Sequence, residues 1–128
     1  TESDVTETTL SVADRHPPVD EAKFNEFCDM LGSETITILL REAQSSLQKR
    51  LGKLREGVSD GDTTQIREAV HAIKGASGSM YAMHVSEVAA EIESSATDIG
   101  VVQSLMPEFE LAAMDVLDWW HKQATKNI

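Results

Sequence analysis

Between Ser33 and Asp60, eight residues recur with the 3.6-residue period of one helical face: Ile36, Leu39, Leu40, Ala43, Leu47, Leu51, Leu54 and Val58. A stripe this long constrains the fold more than any other feature of the chain. An isolated amphipathic helix is marginal in water, so the stripe must be covered by other helices with matching faces. The rest of the sequence supplies them.

A short first helix is expected from Asp20 to Leu31, with Phe24, Phe27, Cys28 and Leu31 on one side. Gly32 stops it, and Ser33 can cap the long second helix. Ser59-Asp60-Gly61 reads as a turn. Asp62 then caps a third helix, with Gln65 as its capping-box partner. This helix carries Ile66, Ala69, Val70, Ile73 and Met80 on its apolar stripe and ends near Tyr81 or Ala82. A fourth runs from about His84 to Ala96, with Val85, Val88, Ala89, Ile92 and Ala96 inward. Asp98-Ile99-Gly100 breaks the pattern. A last helix spans about Val101 to Thr125, burying Phe109, Ala112, Val116, Trp119 and Trp120. Pro107 falls early in it, where a missing N–H is least harmful or a kink is tolerable.

β-branched alternation is nearly absent and aromatics are few, so the fold class is all-α. Four amphipathic helices with short connections imply an antiparallel four-helix bundle, with the short additional N-terminal helix covering one end. The 128-residue chain is long enough for one domain with a full core. Residues 1–18 are polar and acidic and end in Pro17-Pro18, which reads as a disordered tail or linker before a domain at 19–128.

Net charge narrows the partners. At −11 the chain would be repelled by nucleic acid and by an anionic membrane surface, which leaves a protein partner. Cys28 is the only cysteine, so neither an intramolecular disulfide nor a cysteine metal cluster is expected. No apolar run approaches the roughly 20 residues that span a bilayer, and no signal-peptide pattern opens the sequence.

His71 stands apart. At roughly 100° per residue it points about 150° from the apolar stripe of its own helix, toward water. Gly75 and Gly78 lie beside it, one and two turns on. Each glycine costs an exposed helix interior about 1 kcal/mol relative to alanine. The surface next to this imidazole is therefore cleared for something to approach it.

The run His71-Ala72-Ile73-Lys74-Gly75 resembles the His-x-x-Lys-Gly signature of the histidine-containing phosphotransfer (HPt) family of two-component phosphorelays. The resemblance covers roughly Val19 to Lys122. It includes the acidic turn Gly61-Asp62 before the histidine helix and a following helix that ends in Glu91-Ile92-Glu93. It implies that His71 accepts a phosphoryl group from a receiver-domain aspartate and passes it to another receiver. It also implies that Lys74 lies near that group and that Gly75 gives the receiver room. One departure is Tyr81, where many members carry glycine; Tyr81 must adopt a strained turn conformation or shift the helix end by a residue.

The chemistry is consistent with the residues. Transfer needs an uncharged, exposed nitrogen nucleophile. An unperturbed imidazole titrates near about 6.5, so a water-facing histidine is mostly neutral at cytosolic pH. A cation within a turn can stabilise the phosphoryl oxygens. The sequence shows no Walker loop, no Mg2+ carboxylate cluster and no nucleotide pocket. No cofactor is expected on this chain, and Mg2+ would come with the receiver. The chain then has no kinase or phosphatase machinery of its own, although the transfer it takes part in is a phosphotransferase reaction.

The expected partners are response-regulator receiver domains and a hybrid sensor histidine kinase, with the chain acting as a monomer. A cytoplasmic protein fits, either standing alone or as the C-terminal cytoplasmic domain of a membrane-bound hybrid kinase. Ser45 to Lys49 should lie level with His71 to Gly75 across the second and third helices. A docking patch is therefore expected over Ile38, Arg41, Ser45 and Gln48, with Gly78 on the histidine face.

Other readings stay open. The bundle could dock a receiver without turnover, or serve as a scaffold. His84 reads as a structural residue at the start of the fourth helix, and Ser77 as a small inward residue for close packing. His16 and His121 lack the paired spacing of a zinc site. Trp119 and Trp120 read as core and rim. Leu111 and Met114 fall outside the last stripe and offer a second contact, although exposed apolar residues are common.

Overall fold

The computed structural model describes residues 17–126, and the expected tail falls almost entirely outside the described residues. Five helices follow in order: α1 (Glu21–Leu31), α2 (Ser33–Asp60), α3 (Thr63–Ser79), α4 (Met83–Ser94) and α5 (Ile99–Lys126). Helices α2, α3, α4 and α5 form the bundle. α2 packs against α3 and α5, and α4 packs against the same two. Ile36, Leu40, Leu54, Ile66, Ile73, Ile92, Phe109 and Val116 are fully buried between them. Each such side chain contributes about 1.5–3 kcal/mol relative to exposure. Leu39, Ala43 and Val58 of the long stripe flank this core half-buried.

α1 lies across one end. Phe24 is buried and meets Trp119 edge to face at 4.9 Å, and Phe27 meets Tyr81 at 5.5 Å. Asp20 caps α1 by accepting the Lys23 N–H, and its own N–H donates to the Tyr81 carbonyl. Leu31 is more exposed than its place on the apolar side of α1 implied.

The termini differ in detail from the sequence expectations. Gly32, not Ser33, is the N-cap of α2, and no side chain caps that end. The Ser33 carbonyl instead accepts from the Thr37 hydroxyl. Asp62 does cap α3, accepting the Gln65 N–H at 3.1 Å. The capping box is not completed. The Gln65 amide turns back to the Lys53 carbonyl and Glu56, while the Asp62 N–H donates to Gly57. Gly57 explains this tightness: a Cβ there would lie 3.2 Å from Ile66 Cγ1 and from the Ile66 backbone nitrogen.

α3 ends two to three residues earlier than expected. Tyr81 follows its Met80 cap with φ 64°, the one positive φ on a described non-glycine residue. The Ala82 N–H bonds to the Ser77 carbonyl and the Tyr81 N–H to Gly78, the paired bonds of a Schellman terminus. A β-carbon in this conformation costs about 1–2 kcal/mol. The ring contact with Phe27 and the bond from Asp20 hold it there. The break before α5 is at Ser95–Asp98, and Asp98 Oδ1 accepts the Val101 N–H. With α5 beginning at Ile99, Pro107 lies in the helix interior and leaves the Gln103 carbonyl without its usual donor.

Candidate functional site

The short 80–82 connection folds α4 back along α3. The last turn of α4 then lies level with His71, which faces Glu93. His71 Nδ1 is 2.7 Å from Glu93 Oε2, and Lys74 Nζ is 2.6 Å from Glu93 Oε1. One carboxylate thus holds both signature side chains. The Ser86 hydroxyl donates to the Lys74 carbonyl at 3.0 Å and ties the two helices beside them.

Exposure divides the three groups. The His71 side chain is 71% exposed, while that of Glu93 is 22% exposed and that of Lys74 38%. The anchor sits in the α3–α4 groove and the imidazole projects from it. Glu93 is in the last turn of α4, where the helix dipole disfavours an anion. The hydrogen bond from Lys74 and then that from His71 nevertheless hold its carboxyl below the ordinary value. Glu93 is therefore ionised at neutral pH and can only accept. The His71 proton then belongs on Nδ1, and Nε2 keeps its lone pair toward solvent.

Gly75 has open space where a Cβ would stand, consistent with an unobstructed approach to His71. Gly78 is half-buried, and a Cβ there would meet Ser86 Oγ at 3.6 Å, so it borders the α3–α4 groove. Ile38, Arg41, Ser45 and Gln48 are all exposed. Arg41 and Gln48 precede Arg55 at seven-residue intervals and so share its face. Arg55 pairs with Glu110 of α5 at 2.7 Å, so that face flanks α5 rather than α3. Ser45 instead lines the α2–α3 groove with Ser46, Lys49, Arg50 and Glu68. His71 is on the opposite flank of α3, toward α4.

Other candidates are structural. Ser77 and His84 are buried. Burial pushes the Cys28 thiol up, with the nearby Asp29 carboxylate adding to the shift, so it is not an activated thiolate. Among the described residues no group of three His, Cys, Asp or Glu could hold a metal ion, and no helix is long and apolar enough to cross a membrane.

Glu93 was not assigned a role from the sequence. An antiparallel hairpin turning at 80–82 brings the Glu91–Glu93 end of the fourth helix level with His71, but sequence spacing does not choose between the two carboxylates.

The chain is a four-helix bundle that presents a histidine, held by a carboxylate, on one solvent face. The Hpt domain model matches residues 38–119, more than half of the chain, and the chain belongs to that family. Among solved structures it is similar to histidine-containing phosphotransfer protein B (HptB) from Pseudomonas aeruginosa PAO1. The TM-score is 0.77 and the identity 21%, over 87% of this chain and 97% of that one. At that identity the likeness speaks for the fold. No curated protein matches.

Proposed function

We propose that His71 accepts a phosphoryl group from the phosphorylated aspartate of one receiver domain and passes it to the aspartate of another. The observation that carries this reading is the Glu93 clamp on Nδ1 of an otherwise exposed ring. Nε2 attacks phosphorus, the acyl-phosphate P–O bond breaks, and the receiver carboxylate leaves. Nε2 has no proton to lose. Nδ1 keeps its proton, and the adjacent carboxylate stabilises the positive charge that the ring gains. The reverse step, onto a second receiver, returns the ring to neutral. Any Mg2+ would be supplied by the receiver and would offset the charge of the acyl phosphate there, and this chain's part is to orient and expose one nitrogen.

The receiver approaches over Gly75, where nothing within reach of a Cβ obstructs it, and Ser45 lines the neighbouring α2–α3 groove. Arg41 and Gln48 fall at the edge of such a footprint. The test is to incubate the chain with phosphorylated receivers and look for acid-labile, base-stable label. Label on the wild type that is lost in His71→Gln supports the reading. Equal label on both proteins would sink it.

A further inference from the structure

We propose that Arg67 takes the charge of the phosphoryl group on His71, while Lys74 acts as the counter-ion that holds Glu93 in place. The assignment rests on the phosphotransfer reading above.

Three observations carry it. First, Lys74 is already engaged, with its ammonium 2.6 Å from Glu93 Oε1. To reach the phosphoryl oxygens it would have to leave the carboxylate that orients His71. Second, Arg67 is exposed one turn before His71 on the same face of α3, about 5–6 Å away between β-carbons. Third, among the described residues no acidic group pairs with Arg67. The residues three and four positions away are Thr63, Thr64, Val70 and His71, none acidic. Among the described residues no ion pair or side-chain hydrogen bond engages its guanidinium. In a chain of net charge −11, an exposed arginine one turn before His71, paired with no described residue, is the available cation. Its planar fork also matches two phosphoryl oxygens better than a lysine does.

The experiment uses the full chain and phosphoramidate, a small phosphoryl donor, so no cognate receiver is needed. Nε2 forms the new N–P bond, the donor's P–N bond breaks, and its nitrogen leaves as ammonia while Nδ1 keeps its proton. Phosphohistidine is followed by 31P NMR. Arg67→Gln should slow labelling about tenfold, the size of one charge-assisted hydrogen bond. Arg67→Lys should restore most of the rate, and added salt should slow the wild type more than Arg67→Gln. In a Glu93→Gln background Lys74 is released, so the further loss from Arg67→Gln should shrink.

Labelling of Arg67→Gln at the wild-type rate would overturn the assignment. So would a tenfold loss in Lys74→Ala with Arg67→Gln neutral. If His71 takes no label in the wild type, or His71→Gln labels equally, the phosphotransfer reading itself fails and the role of Arg67 fails with it.

Discussion

At the scale of single residues, Glu93 links orientation to charge. Its two oxygens hold His71 and Lys74 on α3 from the far end of α4, and no neutral side chain could accept from both as an anion does. Removing it should therefore change which ring nitrogen is protonated before it changes the fold. In Glu93→Ala, 15N NMR of His71 should show a mixture of tautomers, where the wild type shows the proton on Nδ1. An unchanged Nδ1–H tautomer in the variant would remove Glu93 from the mechanism. The pH dependence has a definite sign. The folded-state carboxyl lies below its ordinary value because Lys74 and then His71 donate to it. Its contribution to stability is complete above the usual carboxylate range, about 4.3, and is lost as the pH falls through the lowered value. The gap in unfolding midpoint between wild type and Glu93→Gln should close on acidification through that range.

At the scale of elements, two glycines in helix interiors have opposite reasons to be there. Gly57 is where α2 and α3 touch; a methyl group would press on Ile66 Cγ1 and on backbone at 3.2 Å, and backbone cannot turn aside. Gly75 has nothing within reach of an added Cβ. Gly57→Ala should lower the urea midpoint by an amount worth about 1–3 kcal/mol. Gly75→Ala should raise it by about 1 kcal/mol. Gly75→Leu should still fold but take phosphoryl groups more slowly from a receiver. A stability loss in Gly75→Ala would mean that its openness does not reflect the packed state.

The same contrast shows what could be read from the sequence. Periodicity places the helices because burial is a property of one face, and Asp20 and Asp62 mark helix starts because their bonds are local. The face of His71 follows for the same reason. The Glu93 clamp joins residues far apart in sequence, and it emerges only once the register of α3 against α4 is fixed. Gln65 has the right spacing for a capping box, but the close approach at Gly57 redirects its amide to Lys53. Arg41 and Gln48 read as a flank of the histidine face until Arg55 shows that their side of α2 borders α5.

At the scale of the whole molecule, α1 closes the bundle but lies outside the stretch matched by the family model. Its hold is apolar and long-range: Val19 and Phe24 are buried, and Phe24 seats edge-on against Trp119, whose indole N–H donates to Glu21. The site is elsewhere. His71 precedes the end of α3 at Ser79 by about 12 Å of helix rise, and the α3–α4 clamp that holds it includes no residue of α1. Stability and chemistry should therefore separate in Phe24→Ala. Truncating a fully buried phenylalanine costs about 3–5 kcal/mol, read as a lower urea midpoint. Trp119 should gain water and its fluorescence shift to the red, while Trp120, buried in the bundle itself, should change little. Labelling of His71 by phosphoramidate below the new midpoint should continue at close to the wild-type rate. A variant that lost labelling while still folded would show that the cap at the bundle end reaches the histidine through α3, and that Tyr81, which touches both, is the link.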